Sequence, residues 1–359
     1  MLHRNTMGGA GAADGISEVV GFVIILAVIV AGLSLYLVHG VPVLGREAEI
    51  ARMDGVRGWF VDYKTSVDQL WLNSPAIPNN STPYVPGDPD PHLDRKALFS
   101  ISSGQMTLRR VINPGAIQEG GFIVRYLPML APIPASEEVS IRTDDTFTVS
   151  GWRYGREVLN WSNTSPALVY SSHNNYWLQQ EYYYQLGGVF LRQWDPTGEV
   201  PEKVMVVLAP PLSIYSSDVG GTGYQTMAGL VVVNLTAYRG GLGARSPVRV
   251  ETRLVTDPLP LVAVDETQPY EFSDVSLTFR AGNDQPASNQ AALAWYTIFN
   301  GAAARNGLNT SYYNVSLSGP VARIEILGYE DNPNIPDVQF GALEASYVIK
   351  LENVPTIIE

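Results

Sequence analysis

Few residues in this 359-residue chain are of types suited to catalysis, and their spacing works against it. Cysteine is absent, which removes thiolate nucleophiles, disulfides and Cys-ligated zinc together. The four histidines, His3, His39, His92 and His173, never fall at metal-ligand spacing. Asp144-Asp145 is the best carboxylate pair, but adjacent residues of a strand point to opposite faces and cannot cooperate. Gly220-Gly221-Thr222-Gly223 lacks the Lys and the following helix of a phosphate cradle, and reads as a turn. The acidic Gly87-Asp88-Pro89-Asp90 lacks the ordered ligand positions of a calcium loop. With no nucleophile elbow, P-loop or zincin motif either, the chain is expected to be no enzyme, with no cofactor and no metal site.

The chemistry the chain does advertise is that of an acceptor. Asn79, Asn80, Asn160, Asn163, Asn234, Asn309 and Asn314 each open an N-x-S/T triplet, where composition alone would supply about two or three. The 19 tyrosines and seven tryptophans could form a platform on which pyranose rings stack, although core use is commoner in a β-rich domain.

The elements that carry these residues follow from the pattern. From Val19 to Val38 the chain runs twenty residues without a charge. At about 1.5 Å per residue that is about 30 Å of helix, the thickness of a bilayer's hydrocarbon core. The run is apolar on every side, unlike the core helix of a soluble domain. A secretory signal would place small residues after a shorter apolar core. Here they come before it, in a leader at residues 1–15 that ends Ala13-Asp14-Gly15. Arg46, Arg52 and Arg57 follow the span and only Arg4 precedes it, which by the positive-inside rule would keep the bulk of the chain in the cytoplasm. Long domains translocate regardless of charge, however, and all seven acceptors lie beyond the span, so the bulk is expected outside. A net charge of −12 repels phosphate backbones and argues against nucleic acid as a partner.

Pro42 has no N–H for the carbonyl of Val38, so a kink is expected near Gly40–Pro42, closing a transmembrane helix at residues 16–42. An amphipathic helix follows at 43–72. Val56, Trp59, Phe60, Tyr63, Val67, Leu70 and Trp71 form a stripe that should pack on the head, with Asp54, Arg57, Asp62, Lys64, Thr65 and Asp68 opposite. Leu44–Ala51 is less cleanly patterned and suits a subunit interface. Residues 73–96 are proline-rich and read as an extended connector.

Strands dominate from residue 97. A hairpin is expected around Ser103-Gly104, and a meander over Glu181–Tyr215 with turns at Gly187-Gly188 and Asp195–Gly198. Further strands read as Leu230–Tyr238, Val248–Leu254, Asp274–Arg280, Tyr312–Leu317, Ala322–Leu327 and Ala345–Leu351. One helix, Asn289–Phe299, is expected with Ser288 as its cap. Alternation puts Asn234 and Asn314 on the polar faces of their strands. Ser216–Gly223 reads as a boundary between β domains at 97–218 and 224–359. The expected fold class is α+β, mostly β, a long N-terminal helix carrying one or two antiparallel β-sandwich units.

The leader, the apolar run opening Ile16-Ser17-Glu18-Val19-Val20-Gly21 and the amphipathic continuation resemble the class III signal peptide and N-terminal helix of archaeal type IV pilins and pilin-like surface proteins. The meander resembles their heads more loosely. Ala13 and Asp14 stand where that family often carries Lys or Arg. The resemblance implies a prepilin-type peptidase cutting between Gly15 and Ile16, and pairing of Glu18 with the terminal amine of a neighbouring subunit. It also implies membrane lipid, copies of this chain and other pilins as partners. The function so implied is a single-pass, cell-membrane structural subunit of a filament or pseudopilus that presents a glycosylated head. The alternative is a non-assembling anchored glycoprotein or adhesin that binds a carbohydrate or protein. A surface enzyme ranks last.

Overall fold

A computed structural model describes residues 11–72, 122–127, 136–195, 197, 202–218, 224–237, 241–243, 248–255, 258–261, 271–282, 286–328 and 337–353. The connector at 73–96, the hairpin around Ser103-Gly104 and the acceptors Asn79 and Asn80 lie outside the described residues, as do residues 1–10 of the leader.

Helix α1 (Gly11–Leu35) passes through one π turn, Tyr36–Gly40, into helix α2 (Val41–Leu72). The kink was expected here. What occurs is a wider turn in which the Val41 N–H reaches back to the Tyr36 carbonyl, so the helix continues past Pro42 rather than stopping. Val19–Val38 is exposed along its whole apolar surface. In α2 the pattern changes to period 3.6, and Met53, Val56, Trp59, Phe60, Tyr63, Val67, Leu70 and Trp71 are buried against the head. Asp68, expected on the polar side, is buried as well. It accepts from Lys64 Nζ at 2.6 Å and Trp71 Nε1 at 3.2 Å, and these bonds offset its desolvation.

Among the described residues the head is three sheets, one α-helix and a 3₁₀ turn at Thr310–Tyr312. The first sheet runs β1 (Phe122–Leu127), β12 (Val248–Leu254), β18 (Val338–Asn353), β10 (Tyr224–Ala237), β9 (Leu212–Asp218), with short β13 (Leu259–Pro260) and β14 (Glu271–Phe272) also on β18. The second runs β11 (Leu242–Gly243), β2 (Ser136–Arg142), β5 (Ala167–His173), β6 (Gln179–Gln185), β7 (Gly188–Trp194), β8 (Lys203–Leu208). The third runs β16 (Tyr313–Ser318), β17 (Val321–Leu327), β15 (Asp274–Arg280), β3 (Thr146–Arg153), β4 (Arg156–Thr164). All pairings are antiparallel except β10 with β18. The fold is α+β and mostly β.

The expected boundary at Ser216–Gly223 does not divide the head. Each sheet takes strands from both sides of it, and β9 and β10, which flank it, pair with each other. Pro210-Pro211 is the sharper break: what reads as one strand from Val204 to Tyr215 is β8 in the second sheet and β9 in the first. Between β6 and β7 the turn is Leu186-Gly187, one residue earlier than expected, with φ of 49° and 79°. A left-handed Leu is strained, and its burial in the core offsets this.

Two apolar cores result. One lies between α2 and the inner faces of the first and second sheets. The other joins all three sheets to helix α3 (Pro286–Arg305). This helix starts before the expected Asn289, so Ser288 is a buried residue within it rather than its cap. β10 separates the cores, with Val231, Val233 and Leu235 in the first and Ala228, Leu230 and Val232 in the second.

Candidate functional site

Three places in this fold could carry function. The first is the top of α2, where it leaves the apolar span and meets the head. Glu49 is only 1% exposed, and its two carboxylate oxygens accept from the backbone N–H groups of Asn175 and Tyr176 at 2.8 and 3.0 Å. Arg52 Nε donates to Glu137 Oε1 at 2.6 Å, and the Tyr170 hydroxyl donates to the same oxygen at 2.5 Å. Burial opposes the charge on Arg52, but the Glu137 bond and the nearby charges raise its pKa overall. The Arg46 guanidinium lies 4.2 Å from the Trp177 ring centroid. At Gly45 any β-carbon would collide with the Tyr176 ring, so glycine allows the loop before β6 to close on the helix. One side of Leu44–Ala51 is thus fastened to the head, while Leu44 and Ile50 remain exposed. The Gly15–Ile16 bond and Glu18 fall within the backbone of α1.

The second is the outer face of the third sheet. Register places Asn160, Ser150, Ser276, Glu325 and Asn314 in one row across all five strands. The next row is Ser162, Thr148, Thr278, Arg323 and Ser316. Two acceptor triplets far apart in sequence therefore stand at opposite edges of one polar face, about 19 Å apart at four strand spacings. Both asparagines are exposed. Asn163 is also exposed on β4, its Oδ1 accepting from the Thr164 N–H. Asn309 is exposed too, and its Oδ1 accepts from the backbone N–H and hydroxyl of Ser311, capping a 3₁₀ turn. Asn234 lies on the side expected: Val233 and Leu235 are buried in the core, while half-buried Asn234 and exposed Thr236 face the other way beside Ser346 and Glu344. Its Nδ2 donates to Glu344 Oε1 at 2.8 Å, and Trp161 Nε1 donates to the other oxygen at 3.1 Å. Asn234 is therefore less open than Asn160 and Asn314, which are exposed. Asp144 and Asp145 diverge: Asp144 is exposed, and buried Asp145 accepts from Gln185 Nε2 and the Gly282 N–H.

The third is a groove of about 370 Å³ between α2 and the outer end of the second sheet. Its floor is two cross-strand pairs of β6 and β7, Gln180 opposite Gln193 and Tyr182 opposite Leu191, continued by Met205 of β8. Asp54 and Arg57 form the α2 wall, and Trp177 closes one end. Burial raises the Tyr182 phenol above its ordinary value; Arg57 lowers it and Asp54 raises it, so both charges reach the hydroxyl. Sequence reading did not find this groove. The turn expected at Gly187-Gly188 gives another hairpin register; only the actual turn at Leu186-Gly187 sets the two glutamines face to face.

Among the described residues one helix is long and apolar enough to cross a membrane; its most apolar 18-residue window has a mean hydropathy of 2.7, and none of that window is buried. Comparisons of the chain with known protein families, with curated proteins and with solved structures found no match.

Proposed function

We propose that this protein is a single-pass, membrane-anchored, pilin-like structural subunit that carries a glycosylated β-rich head outside the cell. The observation that carries the reading is the continuity of α1 and α2. An apolar segment with nothing on the protein to cover it runs, through one π turn, into a segment locked in the head by a full apolar stripe and the Glu49 and Arg52 contacts. Lipid, or the same helix of other subunits, covers the apolar part. The acceptors at Asn160 and Asn314, on an exposed polar face, support an external head. A prepilin-type peptidase would release residues 1–15, leaving Glu18 near the new terminus to pair with a neighbour's amine. Mass spectrometry of the native N-terminus, together with crosslinking in intact membranes, tests this. A terminus at Ile16 and ladders of crosslinked subunits are expected; an uncut leader and monomers alone would overturn the subunit reading.

The second reading, an anchored adhesin that does not assemble, is favoured by one observation, the groove beside α2 with its aromatic and amide lining.

A further inference from the structure

We infer that the groove between α2 and the β6–β7–β8 edge of the second sheet is a binding site for a neutral saccharide. One group lining the groove lacks a partner. Gln180 is 5% exposed, and its side-chain oxygen is buried with no hydrogen bond among the described residues. An unpaired buried amide oxygen costs about 1–3 kcal/mol, which a turn of the side chain toward a ligand hydroxyl would recover. The register puts the Gln193 amide directly opposite. Two facing amides supply donors and acceptors side by side, the arrangement that suits adjacent hydroxyls on a ring.

The rest of the lining selects the ligand class. Asp54 and Arg57 stand on one wall, so the groove has no net charge to attract an anion. Trp177, Leu191 and exposed Met205 offer aromatic and apolar surface for the C–H faces of a sugar ring, over a Tyr182 whose ring is buried against Phe60. A purely apolar ligand would leave both amides unpaired, which argues against a lipid tail. The volume lies at the lower end of the ~300–1,000 Å³ range of small-molecule sites, enough for one or two sugar residues at a time. Position adds to the argument. Asp54 lies sixteen residues beyond Val38, about 24 Å along the continuous helix from the end of the apolar span. The groove therefore opens clear of headgroups, where glycans of the surface layer would meet it. This inference takes its orientation from the display reading, but sugar binding is measured independently of leader cleavage and assembly.

The test uses the full chain in lipid nanodiscs, applied to an immobilised array of neutral and acidic oligosaccharides. Retention on neutral members is expected. Gln180→Leu should weaken it at least tenfold while leaving the melting temperature unchanged or higher, because it removes an unpaired buried amide and keeps the shape. Trp177→Ala should weaken it similarly, and Asp54→Asn less. Three results would overturn the inference: no retention on any member, retention on acidic members alone, or neutral binding that Gln180→Leu and Trp177→Ala leave intact. Displacement of bound sugar by an extended peptide and not by free sugar would assign the groove to protein instead.

Discussion

The two halves of the N-terminal helix are the same secondary structure in two environments. Val19–Val38 is apolar on every side and is left uncovered by the described residues, whereas Met53–Trp71 is apolar on one side and buried along it. Hydrophobicity without periodicity means that the partner lies outside the chain; hydrophobicity with period 3.6 means that it lies within. The π turn and the Glu49 and Arg52 contacts sit where one regime gives way to the other. Stability of the head should then depend on the lower half and be indifferent to the upper.

The largest expected effect is alkaline. Burial raises the phenols of Tyr63, Tyr183, Tyr184 and Tyr347 above their ordinary value, Asp68 adding to the rise at Tyr184 and Tyr347. Below about pH 10 these groups are neutral in both folded and unfolded chains, and the stabilisation is complete. Above it the unfolded chain gives up protons that the folded one still holds, so stability falls as pH rises. Near-UV circular dichroism of the protein in micelles should collapse between about pH 10 and 12, while the far-UV signal of the anchor survives. A head that keeps its near-UV spectrum at about pH 12 would break the link between the docked stripe and the sheets.

Next in size is Phe60→Ala, which should lower head stability by about 3–5 kcal/mol in urea unfolding. Leu26→Ala, in the exposed half, should not move the midpoint. Equal effects at the two positions would erase the comparison. Glu49→Ala removes the acceptor of two backbone N–H groups and should cost about 1–3 kcal/mol, with faster hydrogen exchange at Asn175 and Tyr176. Unchanged exchange there would mean that the top of α2 is not fastened. Smallest of all, Asn160→Gln and Asn314→Gln should each shift stability by less than about 0.5 kcal/mol while removing hexose-bearing peptides from the glycopeptide map. Sugar at Asn234 and none at these two would contradict the exposed face.

The sequence made local periodicity readable and left long-range pairing hidden. The α2 stripe was legible from Val56 to Trp71 because a helix meets its core through residues three and four apart. Val315 and Asn314 likewise sort by alternation onto the inner and outer faces of an edge strand. Asn234 sorts the same way at the end of β10, with Val233 and Leu235 inward, but its partner Glu344 comes from β18, far along the chain, and local pattern does not report it. The domain boundary was misread because β3 finds β15, and β10 finds β18, across long stretches of chain, and nothing in the composition of Ser216–Gly223 reports on that. Asp68 looked like a surface residue because a carboxylate seldom faces a core; its partners Lys64 and Trp71, four residues before and three after it on the same helix, let it be buried. The groove was not legible: the turn expected at Gly187-Gly188 falls one residue late and gives another hairpin register, and the α2 wall that encloses the groove is a tertiary fact.

β18 bears on the order of events during synthesis. It is the last described strand, yet it lies inside the first sheet, hydrogen-bonded to β10 along one edge and β12 along the other, and Val231 waits for Leu343. A chain emerging N-terminus first has its apolar helix made long before this strand exists. Until β18 arrives, β10 and β12 keep open edges, and Val231, Val233 and Leu235 lack their cover. The head must therefore stay unfolded until nearly the whole chain is made, and under the proposed external placement that means throughout its export. A chain truncated before Val338 should be found inserted, protease-sensitive and aggregation-prone, never as a smaller folded head.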